Sequence, residues 1–420
     1  MRVGAVLIDR LAEAADAVLR LDRPADRALS AFFREHDELG RQDRTFVAET
    51  VYAVLRRLRT LQHAAATANA RRLALAALVL VRGHSVRELE GAVARRDLEW
   101  LAAVKAAAQG ELPFEVACDL PDWVVARLRT TRDDAAIASL AAALNRPAPL
   151  DLRVNVAKAE RDAIAARFAA EGIRATPTPY SPWGLRLPDK PSLARHALFL
   201  DGTVEVQDEG SQLLCVLTAP RRGEMVADFC AGAGGKTLAL GAAMRSSGRL
   251  YAFDVSEKRL ANLKPRLARS GLSNVHPQRI DSERDPRVRR LAGKVDRVLV
   301  DAPCSGLGTL RRNPDLKWRQ QEAGIPELAA KQAAILAAAS ALVKPGGRLV
   351  YATCSLLAEE NEHIAEAFLA AQPGFERRSA PELLREARVE LPNQRDDYLR
   401  LLPDVHDTDG FFACAMERVR

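Results

Sequence analysis

Two stretches of this chain each place a thiol just past a β-branched run. Val298-Leu-Val-Asp301 leads into Ala-Pro-Cys304-Ser-Gly-Leu-Gly308, and Arg348-Leu-Val-Tyr-Ala-Thr353 leads into Cys354-Ser355. Such runs read as buried strands, and open α/β sheets bind ligands just beyond the carboxyl ends of their strands. Asp, Pro, Ser and Gly are also ordinary turn residues, so position alone leaves the first stretch divided between a site and a turn. Free cysteine is commonly core filler, but both thiols here stand on loops after strands. A thiolate there can form a covalent intermediate, and an acid such as Asp301 can hold or deliver a proton.

The elements that must position these groups begin near Val204, where strands and helices alternate. Met225–Phe229 reads as a first strand and Arg249–Asp254 as a second, with Ser256 capping the helix Glu257–Ser270. Asn274–Ile280, Val295–Asp301 and Arg348–Thr353 give three more, and Lys344-Pro-Gly-Gly347 reads as the stop of the helix before the fifth. Phe411–Val419 reads as a late strand that closes the sheet antiparallel. The pattern predicts an α/β, doubly wound, Rossmann-like sheet. In that order the fourth and fifth strands are neighbours, which brings Cys304 and Cys354 together.

A ligand site is predicted beside them. Asp228-Phe-Cys230-Ala231-Gly232-Ala233-Gly234-Gly235-Lys236 joins the first strand to a helix. Its glycines allow a ligand close to the backbone, and a helix N-terminus favours negative charge. The loop is not a P-loop, which needs GxxxxGK[ST]. Acids end the first four strands: Asp228, Asp254, Asp281 and Asp301. Buried carboxylates are costly without partners, so packing alone does not explain the set. Asp254 is placed for both hydroxyls of a ribose and Asp281 for an adenine amino group. No redox residues stand out to favour NAD, which leaves S-adenosylmethionine as the expected cofactor.

A thiol beside a methyl donor suits one problem in particular. Carbon 5 of a pyrimidine is a poor nucleophile until a thiolate adds at carbon 6 and makes the ring enamine-like. Asp301 could then hydrogen-bond ring N3 of cytosine, and a base must remove the carbon-5 proton, for which the second thiol could serve.

The rest of the chain sets the context. Its 420 residues, 48% of them hydrophobic, are enough for two or three packed domains. The 62 Lys+Arg against 55 Asp+Glu give a net charge of +7, which favours a polyanionic partner without requiring one. Six cysteines with no CxxC spacing fit neither a zinc site nor a disulfide scaffold, so no metal is expected and a reducing cytoplasm is. No stretch is long and apolar enough to span a bilayer, so no membrane partner is expected. Residues 1–115 read as helices with apolar residues at helical spacing, and Ser85 with Glu88 forms a capping-box pattern. Arg41, Arg44, Arg56, Arg57, Arg59, Arg71 and Arg72 lie on these helices, as solvated faces or as an RNA-docking surface. Residues 116–203 read as a linker helix and a small α+β module, and 204–420 as the sheet domain.

Five of these stretches, taken in order, resemble the motifs of the RNA (cytosine-5) methyltransferases, the Sun/Fmu/Nop family. They are Asp228–Lys236, Asp254-Val-Ser-Glu-Lys-Arg259, Asp301–Gly308 with Arg311-Arg-Asn-Pro-Asp315, Tyr351–Ser355 and Asp409-Gly-Phe-Phe412. Arg153-Val-Asn-Val-Ala-Lys158 and Gln207-Asp-Glu-Gly-Ser-Gln212 are similar to motifs just upstream, and residues 1–115 resemble, more weakly, the NusB-like helical domain of the bacterial ribosomal-RNA branch. The resemblance implies a monomeric enzyme methylating carbon 5 of cytosine in RNA, small-subunit ribosomal RNA first. It makes Cys354 the nucleophile, Cys304 the thiol that helps release product, and Asp301 the contact to cytosine. Asp254 would bind the ribose and Asp281 the adenine, while Lys236 and Arg259 would organise the methionine end. The basic tail from Arg311 and Arg312 to Lys317 and Trp318 then reads as an RNA-facing wall. One departure is visible: the family loop Cys-Ala-Ala-Pro-Gly-Gly-Lys is here Cys-Ala-Gly232-Ala233-Gly-Gly-Lys, which implies a looser loop. A transfer-RNA enzyme and an inactive RNA-binding assembly factor are the competing readings. A DNA cytosine methyltransferase would carry a Glu-Asn-Val motif, and an amino-group methyltransferase an Asn/Asp-Pro-Pro-Tyr/Phe loop; neither is present.

Overall fold

The computed structural model describes residues 3–419. By its contacts the chain divides into two units. One is Met1–Pro147 with Thr309–Glu322, and the other is Ala148–Gly308 with Ala323–Arg420. Among the described residues no helix is long and apolar enough to cross a membrane.

The first unit is helical. Ala5–Leu19, Arg41–Arg56 and Ala70–Leu80 are amphipathic, and their apolar faces supply fully buried Leu11, Val47, Leu75 and Leu78. Ser85 and Glu88 form the expected capping box, on a short 3-10 helix, with bonds of 2.7 and 3.3 Å. Six of the seven arginines on the helix surfaces have partners within this unit. Arg44 and Arg59 donate to the carbonyls of Leu39 and Leu120 at 2.8 and 2.7 Å, and Arg56 to that of Arg311 at 3.1 Å. Arg57 and Arg71 pair with Asp119 and Asp9, and Arg72 lies over the Trp100 ring. Internal packing, more than docking, uses these guanidinium groups.

The segment Thr309–Glu322 overturns the expected RNA-facing wall. Arg311 is 4% and Lys317 only 1% exposed. The Lys317 ammonium donates to the carbonyls of Arg56 and Asp119 at 3.0 and 2.6 Å and to Asn145 Oδ1 at 2.8 Å. Three donors meet three acceptors, which is what a buried ammonium needs. Burial still pushes its pKa down to about 7. Trp318 donates its indole N–H to the Leu55 carbonyl at 2.8 Å. The tail is therefore core of the helical unit.

The second unit carries two sheets. The smaller is antiparallel, with strands β1 (Leu150–Val154), β2 (Thr176–Pro177), β3 (Gly184–Leu187) and β4 (Val204–Val206) in the order β2-β3-β1-β4. The larger comprises β5 (Met225–Asp228), β6 (Arg249–Asp254), β7 (Val275–Arg279), β8 (Val295–Asp301), β9 (Val343–Thr353), β10 (Phe375–Arg378), β11 (Leu399–Leu401) and β12 (Phe411–Arg418). Its order is β10-β12-β9-β8-β5-β6-β7, with β11 on β12. Strands β5 to β9 pair parallel, and β12 runs antiparallel to β9 as expected. The order reverses between β5 and β8, which makes a doubly wound sheet with its switch point there. Separate apolar cores cover its two faces.

One punctuation signal misled. Lys344-Pro-Gly-Gly347 does not end a helix, because the helix Ile325–Ser340 has already stopped and β9 has begun. The Pro-Gly-Gly sits in β9 where its register against β8 slips between Val295 and Arg297, and Gly346 takes φ +73. A bulge uses the same residues as a helix stop.

Candidate active site

The carboxyl ends of β5, β6, β8 and β9 surround a cavity of about 680 Å³, large enough for a nucleoside-sized ligand. Every expected site residue lines it except Gly234 and Asp281. Gly234 serves the packing of the loop: at φ +85, a Cβ there would lie 2.1 Å from Leu263 Cδ1. Asp281 corrects the expected row of four acids. Its side chain is 72% exposed and pairs with Arg279 at 2.8 Å. Its own N–H donates to Asp285 Oδ2 at 3.0 Å, so the turn after β7 directs it outward. Glu283, two residues on, lines the cavity in its place.

The cavity's upper part has the chemistry of a cofactor site. Asp254 is 5% exposed, and its carboxylate is oriented by the N–H groups of Gly232 and Ser256 at 2.8 and 2.7 Å, with Arg259 at 3.9 Å. Asp228 is 1% exposed, and Thr237 Oγ1 donates to its Oδ2 at 2.6 Å. Its other oxygen has no protein partner, and burial pushes its pKa up to about 7. An orphaned buried acceptor is unusual, and in a residue that lines a cavity it is available to a ligand donor. A Cβ at Gly232 would meet nothing within 4 Å, so there is open space beside the backbone of this loop.

The Gly232-Ala233 loop is not loose despite the missing proline. Arg266 donates to the Ala233 carbonyl and Arg153 to the Gly235 carbonyl, both at 2.6 Å. Arg153 is itself held by Gln207 at 2.5 Å, and Arg266 by Glu205 at 2.9 Å. Sequence reading assigned Arg153 and Gln207 no task. Their only signal was membership of motifs upstream of the sheet.

The thiols meet on the other side of the cavity. Cys304 and Cys354, 50 residues apart, bring their Sγ atoms to 3.3 Å. Cys354's hydrogen bond, then burial, push the Cys304 thiol well above its usual pKa. Lys236 Nζ donates to Asp301 Oδ2 at 2.7 Å. Burial opposes the Lys236 charge, but the Asp301 carboxylate holds the ammonium above its ordinary range. Three backbones converge to fix the thiol loops: Gly308 N–H donates to the Cys354 carbonyl, and Gly410 N–H to that of Gly308, both at 2.8 Å. A Cβ on Gly308 would lie 2.2 Å from the Gly410 oxygen, so these glycines are required for close approach.

A doubly wound sheet with a cavity at its switch point is the Rossmann-like class of fold, which methyltransferases of this kind share. Residues 215–417 match the family described as 16S rRNA methyltransferase RsmB/F, and residues 120–206 match its ferredoxin-like domain. Over these two stretches the chain is similar to the RsmB/F methyltransferases. It is 37% identical over 299 residues to a Synechocystis protein named "Probable ribosomal RNA small subunit methyltransferase B", covering 71% of this chain and 66% of that one. It is 36% identical over 294 residues to the Shigella sonnei ribosomal RNA small subunit methyltransferase B, covering 70% and 65%. The chain thus spans just under two thirds of the length of these relatives. A solved methyltransferase homolog from Pyrococcus horikoshii shares 29% identity at a TM-score of 0.62, over 73% of this chain and 97% of that one. The crystal structure of PH0851 shares the fold over 100% of both chains, at 24% identity and a TM-score of 0.80.

Proposed function

We propose that this protein methylates carbon 5 of cytosine in RNA, with small-subunit ribosomal RNA as substrate, through a covalent cysteine adduct. The observation that carries the reading is the pair of thiols 3.3 Å apart beside the Lys236–Asp301 ion pair. S-adenosylmethionine supplies an electrophilic methyl group when bound, with Asp254 at its ribose and the Gly232–Gly235 loop along its length. The relatives' names, which specify small-subunit ribosomal RNA, support the substrate class.

The residues divide the work by their surroundings. Cys354 lines the cavity together with the Lys236–Asp301 pair, which suits that thiol for attack on carbon 6. The Lys236–Asp301 pair then faces the N3 edge of the ring and stabilises the adduct. Cys304 keeps its proton while Cys354 bonds to it. Once Cys354 is bonded to carbon, the leading cause of the high Cys304 pKa is gone. The freed thiol gives its proton to solvent and takes the proton from carbon 5, and the electron pair of that C–H bond re-forms the ring double bond and expels Cys354 as a thiolate.

The test is release of tritium from 5-tritiated cytosine with S-adenosylmethionine, in small-subunit ribosomal RNA and in transfer RNA. Release from the former supports the proposal. Release only from transfer RNA moves the substrate, and release from neither sinks the reaction.

A further inference from the structure

Behind the two thiols lies a buried polar cluster that the chemistry above does not use. Glu360 is 0% exposed and, among the described residues, has no ion-pair partner. Its carboxylate instead accepts four hydrogen bonds. Ser305 N–H and Gln332 Nε2 donate to Oε1 at 2.8 and 3.0 Å, while the hydroxyls of Ser305 and Ser355 donate to Oε2, both at 2.5 Å. The donors have a telling origin. Ser305 follows Cys304 on the loop after β8, and Ser355 follows Cys354 on the loop after β9. Gln332 reaches on to the Pro303 carbonyl at 3.0 Å, and the Tyr351 hydroxyl donates to the Glu360 carbonyl at 2.5 Å.

We propose that Glu360 is a positioning residue that clamps the Cys304 loop to the Cys354 loop and so sets the separation of the two thiols. A buried carboxylate without a cation is expensive, and hydrogen bonds of this number are what offset it. A neutral residue would fill the same space at lower cost, so packing does not account for a glutamate here. The inference rests on the cytosine reading for its purpose: attack at carbon 6 and proton removal at carbon 5 address adjacent atoms, and a displacement of about 1 Å can cost about 100-fold in rate. The charge also bears on the chemistry, because Glu360 adds to the causes that keep the proton on Cys304.

The test reads thiol separation directly and needs neither RNA nor methyl donor, so its failure is distinct from failure of the cytosine reading. Phenylarsine oxide bonds two thiols at once, releasing water, and its affinity reports whether both sulfurs are held within reach. The wild type should bind it stoichiometrically. Glu360→Gln and Ser355→Ala should each weaken that binding about tenfold or more, and the double variant no further than the worse single one, because both break one link. Alkylation of each thiol singly should persist in every variant, and the kcat for methyl transfer should fall while the KM for S-adenosylmethionine stays. Ser355→Ala keeps the carboxylate and carries the test if Glu360→Gln does not fold. Wild-type arsenical affinity in Ser355→Ala, or additive losses in the double variant, overturns the proposal.

Discussion

Cys304 and Cys354 meet at 3.3 Å because Asp301 and Ala352 are register partners on adjacent parallel strands. Each strand ends within a few residues of its thiol, so the sheet's hydrogen bonding brings the two loops side by side, and contacts beyond the strand ends fix the sulfurs within them. The Ala302 N–H bond to the Ala352 carbonyl at 2.8 Å extends that pairing toward the site.

Removing either thiol should therefore have a different result. Cys354→Ala should lower methyl transfer by about 1,000-fold or more, with no covalent protein–RNA species on a denaturing gel. Cys304→Ala should still attack but release poorly, so that such a species accumulates. A fully active Cys304→Ala variant would reverse the assignment.

Gly308→Ala drives a methyl group to within 2.2 Å of the Gly410 oxygen and 2.8 Å of the Cys354 oxygen. Overpacking of this kind costs about 2 kcal/mol of stability. Its larger consequence should be a shifted Cys354 and a kcat reduced about 100-fold, with circular dichroism unchanged.

Arg266→Ala leaves the Ala233 carbonyl without the donor that stands in for the family's proline. Titration calorimetry should show S-adenosylmethionine binding weakened about tenfold, the equivalent of one hydrogen bond to a charged group. An unchanged affinity would mean that Arg153 alone holds the loop.

Lys317 makes stability depend on pH. Its pKa is lowered in the fold to about 7 from the ordinary 10.5, so between those values the unfolded chain carries a proton that the folded chain does not. Stability should therefore climb as pH rises from about 7 toward 10 and be least below 7. Lys317→Met should remove this component from a plot of melting temperature against pH. It should also destabilise by about 2–4 kcal/mol, because three acceptors lose their donor.

The sheet and most of its site were legible because both rest on local patterns. Strand-end acids and a glycine loop announce a switch-point cavity, and Asp228, Asp254 and Asp301 reach it. Asp281 fails the pattern because Asp285, four residues on, accepts its N–H and turns the loop. No rule of spacing shows that competition. Glu360 was invisible for another reason: in sequence it is one of several acids in a helical stretch, and only the meeting of Ser305 and Ser355 gives it a task. Lys317 likewise looks like a charge for solvent until Asn145 and Asp119 are brought to it.

The helical unit takes Thr309–Glu322 from beyond eight strands of intervening sequence, and this has a consequence during synthesis. Domains generally fold in the order in which the ribosome makes them. A nascent chain stopped at Pro147 still lacks Lys317 and Trp318, so its helical unit has an unfilled interior. The amino-terminal portion of this protein cannot finish folding until residue 322 has emerged, by which time β5 to β8 are already made. Shortened genes encoding either portion alone should yield chains that depend on chaperones.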